Sequence, residues 1–146
     1  MKKVSLLLVL FSVFVFSQKY TKSEISRITE GTIDSALPIF QTSDSLQHAV
    51  LVDQSIDAKP KDQYTKILVN RMKLALISTG SGVGIAAPQV GINRNIIWAK
   101  RFDKEGNPLE YFINPKIRWR SEVLNFGPEG DLSIEVFRDY FYRSQV

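Results

Sequence analysis

Gly82-Val83-Gly84-Ile85-Ala86-Ala87-Pro88-Gln89-Val90-Gly91 is the stretch on which the fold of this chain turns. Its Gly-x-Gly opening invites comparison with a dinucleotide-binding loop, which needs a strand before it and a helix after it so that phosphate meets a helix N-terminus. Here a pattern of helical period comes first. Tyr64, Leu68, Met72, Ala75 and Leu76 recur on one face, with Lys66, Asn70 and Lys73 away from it. Pro88 then opposes a helix running through the segment. The nucleotide reading fails on context.

Working outward, the helical pattern predicts a helix over 62–78, with Asp62 as its N-cap and Thr79-Gly80-Ser81-Gly82 as its stop, since glycine takes positive φ freely. Downstream, Asn95-Ile96-Ile97-Trp98-Ala99 reads as a strand. Phe102 to Leu109, centred on Gly106-Asn107-Pro108, connects it to a second strand at Glu110 to Ile113. Lys116-Ile117-Arg118-Trp119-Arg120 alternates polar and apolar residues, the pattern of a half-buried strand, and a further strand is expected to start near Leu132. Upstream, Tyr20 to Asp62 is polar and weakly patterned. Ala36 to Phe40 begins an ordered piece that Pro38 keeps from being helical, His48-Ala49-Val50-Leu51-Val52 reads as a short strand, and Asp57 to Asp62 as a turn. One helix followed by antiparallel strands defines an α+β fold rather than a wound parallel sheet.

The 146 residues fit one domain, and 44% apolar with 23% charged residues is globular composition. Met1-Lys2-Lys3, an apolar run over 4–16 and the small residue Ser17 follow the layout of a secretory signal peptide. The run is thirteen residues long, against the roughly 20 needed to span a bilayer, so export is expected, with no stable membrane anchor after cleavage. The expected organisation is a signal peptide over 1–17, an N-terminal extension over 18–61 and the patterned domain over 62–146. Removing the signal takes Lys2 and Lys3 with it and lowers the formal charge from +4 to +2. Lys100-Arg101 and Arg118-Trp119-Arg120 are too sparse for a nucleic-acid surface. The chain has no Cys, hence no disulfide and no lipid-modified cysteine.

The whole string 82–91 resembles the first signature motif of the peptide deformylases. Glu129-Gly130-Asp131-Leu132-Ser133-Ile134 is similar to the family's Glu-Gly-Cys-Leu-Ser motif, and Phe112-Ile113-Asn114-Pro115 to its Leu-Ile-Asn-Pro strand. The resemblance covers about 62–134 and implies a peptide-deformylase-like α+β fold. It also implies hydrolysis of the formyl group of N-formyl-methionyl peptides by a divalent metal, iron or zinc, that activates water. By position, Gln89 and the backbone N–H of Leu132 correspond to the donors that stabilise the developing oxyanion. Gly82, Gly84, Ile85, Glu129 and Gly130 correspond to substrate-binding positions, and Asp131 stands where the family has its metal-ligand Cys.

Two departures qualify the expectation. Asp131 offers a harder ligand than thiolate. The family's His-Glu-x-x-His helix is not in the sequence, which ends thirteen residues after Ser133, and the single histidine, His48, lies far upstream. With that metal-binding helix missing, Asp131 and Glu129 cannot supply three ligands. Phe137, Tyr140, Phe141 and Tyr142 then have little chain to cover them, which favours self-association. The sequence therefore predicts a truncated, deformylase-like chain that is impaired or inactive as it stands. The alternatives are a non-catalytic exported peptide-binding module and a non-functional gene fragment.

Overall fold

The structure, a computed structural model, describes residues 19–135 and 138–146; the export segment expected over 1–17 and Phe137 lie outside these. Three helices precede the strands: α1 (Lys22–Thr29), α2 (Ser45–Val52) and α3 (Gln63–Ser78). They are followed by β1 (Gly84–Ala86), a 3-10 turn over Ala87–Val90, β2 (Ile96–Lys100), β3 (Leu109–Ile113), β4 (Leu124–Gly130) and β5 (Arg138–Ser144). β1, β2 and β3 form one antiparallel sheet in that order, and β4 and β5 a separate hairpin.

α3 forms where its period predicts. The Asp62 side chain accepts from the Tyr64 N–H, and Gly80, at φ +72°, stands just past the end of the helix. Leu68, Met72, Ala75 and Leu76 are buried, and Lys66, Asn70 and Lys73 are exposed. That face packs on Ile85, Ile96 and Trp98 of the sheet within one core cluster. The Trp98 indole N–H donates to the Val69 carbonyl at 2.8 Å, fixing the sheet against the helix.

The same core takes Tyr20, Ile28, Leu37 and Ala58 from the stretch ahead of α3. α1 is an addition to the single helix expected. Thr21 and Glu24 form a reciprocal capping box, which lets an eight-residue helix start cleanly. The strand expected at His48–Val52 is instead the end of α2. Asp44 accepts from the N–H groups of Leu46 and Gln47, and that cap outweighs the β-branched residues.

Two further expectations are corrected downstream. Lys116–Arg120 is irregular, with Ile117 60% and Trp119 62% exposed. Asn114 takes φ +54° ahead of Pro115, which ends β3, and alternation alone makes no strand without a neighbour to bond. Leu132 begins no strand. It lies in the turn after β4, and the next strand starts at Arg138.

Arg94 is wholly buried and held by a carboxylate. Its guanidinium donates to both oxygens of Glu24, at 2.6 and 2.8 Å, to the Lys19 carbonyl at 2.9 Å, and lies over the Tyr20 ring. Burial pushes the Glu24 carboxyl up, but hydrogen bonds from Arg94 and Thr21 outweigh this and hold it below the usual range. Arg94→Ala would leave that carboxylate largely buried and unpaired, and is expected to lower the unfolding free energy by about 3–5 kcal/mol in urea titrations. Because the Glu24 pKa is depressed in the folded state, its stabilisation is present above the unfolded value of about 4.3 and lost as pH falls through the folded value. Stability measured against pH should therefore fall less steeply on the acid side in Glu24→Gln than in the parent chain.

Candidate active site

Three segments meet around a cavity of about 780 Å3. Ser81, Gly82, Val83 and Gly84 supply one wall as the chain leaves α3 and enters β1, and Gln89 rises from the 3-10 turn. Pro128, Glu129 and Gly130 at the end of β4, with Asp131, Leu132 and Ile134 of the following turn, supply the other wall. Both walls are strand edges, because among the described residues β1 pairs only with β2 and β4 only with β5. The Lys100 N–H donates to the Val83 carbonyl at 2.7 Å. By the alternation of an antiparallel pair, the N–H and C=O of Gly84 therefore point away from β2, towards the cavity side.

Gln89 is held at both ends of its amide. Its Oε1 accepts from the Ala86 N–H at 2.9 Å, and its Nε2 donates to Asp131 Oδ1 at 3.0 Å and to Ser133 Oγ at 3.3 Å. Asp131 Oδ1 also accepts from the Ser133 N–H at 2.7 Å, closing an Asx turn. That turn leaves the intervening Leu132 N–H without an acceptor among the described residues. An extended piece of chain ahead of α2 braces both sides. The Phe40 N–H donates to the Gln89 carbonyl and the Thr42 N–H to the Ser133 carbonyl, each at 2.8 Å, while Gln41 Nε2 donates to the Leu132 carbonyl at 3.0 Å.

Of the residues singled out in the sequence, Gly82, Gly84, Gln89, Glu129, Gly130, Asp131 and Leu132 come together at this cavity. Ile85 is beside it, with its side chain 3% exposed and turned into the core. His48 is exposed on α2 and does not line it. Ser133 and Gln41, which sequence reasoning did not single out, are part of the bracing. Ser133 stands inside a quoted motif and could have been found there, whereas nothing around Gln41 signals its contact with residues more than ninety positions away.

Among the described residues the donor set does not assemble a site for a resident divalent metal. Asp131 already accepts two N–H groups on one oxygen, and both oxygens of Glu129 are engaged by Arg143, at 2.8 and 2.9 Å. Among the described residues no group of three His, Cys, Asp or Glu side chains is placed to hold a metal ion.

An α+β scaffold thus sets a tethered glutamine amide and a glycine-lined strand edge around one open cleft. Residues 37–146 match the family model described as polypeptide deformylase, and the chain belongs to that family. Peptide deformylase of Pseudothermotoga lettingae is 35% identical over 91 residues, 62% of this chain and 50% of the relative. That of Prochlorococcus marinus is 31% identical over 119 residues, 77% and 54%. The chain thus spans about half the length of these curated relatives. Among solved structures, the peptide deformylase of Ehrlichia chaffeensis, in complex with actinonin, is 30% identical with a TM-score of 0.66, over 76% of this chain and 64% of its own. A probable peptide deformylase from Synechococcus phage S-SSM7 is 29% identical with a TM-score of 0.64, over 75% and 71%.

Gly91, which ends the turn carrying Gln89, sits at φ +85°, and a Cβ there would come within 2.5 Å of the Phe40 ring. Gly91→Ala is expected to destabilise the fold by about 1–3 kcal/mol through overpacking alone, with the left-handed backbone adding to it. Thermal unfolding measures the loss, and faster amide exchange at Phe40 would show that the brace on Gln89 had moved.

Proposed function

We propose that this chain carries the substrate-binding and oxyanion-donor side of a deformylase site, and that its 146 residues bind N-formyl-methionyl peptide without efficient turnover. One observation carries the reading. The cavity opens between two strand edges and has on its walls the amide of Gln89 and a Leu132 N–H that meets no acceptor among the described residues. An extended peptide adds to a strand edge through main-chain hydrogen bonds, and the outward N–H and C=O of Gly84 supply such a pair. The family's metal would supply activated water and a polarised carbonyl. Here the Leu132 N–H binds and orients the formyl oxygen, Gln89 holds the turn that presents it, and Gly82 and Gly84 admit the peptide backbone at close range. Calorimetry of the full chain with N-formyl-Met-Ala-Ser should show binding that Met-Ala-Ser does not match. Gln89→Leu, which loses the amide, should weaken it up to about tenfold. Equal or absent affinity for the two peptides would refute the binding reading. Release of formate that a chelator abolishes would refute the absence of turnover.

We propose further that the export signal expected over 1–17 carries this cleft out of the cytosol, with free formyl peptides as its substrate class there. A reporter fused behind Val146 should therefore be recovered outside the cytoplasm; retention inside would contradict export.

A further inference from the structure

At position 131 a carboxylate joins the two walls of the cleft by hydrogen bonds. The Asp131 carboxylate receives the Gln89 amide from across the cleft and the Ser133 N–H from its own turn on the same oxygen. The first bond ties the turn to the far wall, and the second closes the Asx turn that leaves the Leu132 N–H unbonded. Gln89 is fixed at its other end by Ala86, so a continuous run of hydrogen bonds extends from β1 through Gln89 and Asp131 to Ser133. The Phe40 N–H donates to the Gln89 carbonyl and the Thr42 N–H to the Ser133 carbonyl, each at 2.8 Å, bracing that run at its middle and at one end. The neighbouring acid, Glu129, is paired in bidentate fashion with Arg143.

We infer that Asp131 is a metal-independent latch, a positioning residue that holds the Gln89 side-chain amide and sets the turn presenting the Leu132 N–H, the candidate oxyanion donor, by hydrogen bonding alone. Hydrogen bonds to a charged acceptor are stronger than neutral ones, which suits a single oxygen to hold two donors. This inference does not rest on peptide binding, and its test contains no peptide.

The test uses the full chain labelled with 15N, comparing the parent with Asp131→Ala and Asp131→Asn, each with chelator and with added zinc. In the parent, the Gln89 side-chain resonances and the slow exchange of the Ser133 amide should be the same in chelator and in zinc. Asp131→Ala should shift the Gln89 resonances and speed Ser133 exchange about tenfold or more, the loss of a charge-assisted hydrogen bond. Asp131→Asn keeps a carbonyl acceptor and should largely restore both signals. It also carries the test if the alanine variant does not fold. Stoichiometric zinc binding by the parent that either variant abolishes would overturn the inference, as would Gln89 resonances unmoved by Asp131→Ala or lost equally in Asp131→Asn.

Discussion

The burial of Arg94 is the constraint on which the rest of the molecule depends. A guanidinium with no exposed surface is tolerable only if its donors are met, and the chain meets them by bringing Glu24, Tyr20 and the Lys19 carbonyl to it from seventy or more positions upstream. That demand fixes α1 against the turn that precedes β2. Arg71 repeats the device one layer away. It is 2% exposed and donates to the carbonyls of Ile28, Glu30 and Ser35, with burial lowering its pKa. Cations on the carbonyls around the end of α1 also suit the negative end of the helix dipole. The two arginines draw the segment ahead of α3 into the same core as the sheet.

From that base the site follows by short steps. With the turn over 91–95 pinned, Gly91 takes its left-handed conformation, Gln89 is presented, and the Phe40–Thr42 stretch lies between the two walls. The hairpin of β4 and β5 is tied to the body through the turn 131–134, by bonds from Gln41, Thr42 and Gln89. Its far side is different. Phe126 stacks on Tyr140 and lies 4.7 Å from Tyr142, on a face that stays more than half exposed.

The legible part of this fold was the part governed by local periodicity. The α3 stripe, the Asp62 cap, β2 and β3 were all readable, because one apolar face each met the α3–sheet core. The departures came where a decision lay elsewhere in the chain. His48–Val52 carries strand-forming residues, yet the Asp44 side chain, four residues ahead as the N-cap of α2, settles it as helix. Lys116–Arg120 has the alternation of a strand and no neighbour. α1 announced itself in Thr21-Lys22-Ser23-Glu24, a capping signature that the polar surroundings concealed. At the site, the motifs located the cleft residues. The hydrogen-bonded role of Asp131 depends on Gln89 and Ser133 arriving together, and position within a motif cannot state that.

The two tryptophans of this chain divide its architecture between them. Trp98 is 7% exposed, bonded through its indole to α3, with Tyr111 at 5.2 Å and the Lys73 ammonium above its ring. Trp119 stands in the irregular connection ahead of the hairpin, mostly in water. An indole in a dry, hydrogen-bonded setting emits at shorter wavelength than a hydrated one and is shielded from iodide. The protein therefore contains its own two-channel optical reporter, with one fluorophore registering the integrity of the helix–sheet junction and the other the surroundings of the hairpin.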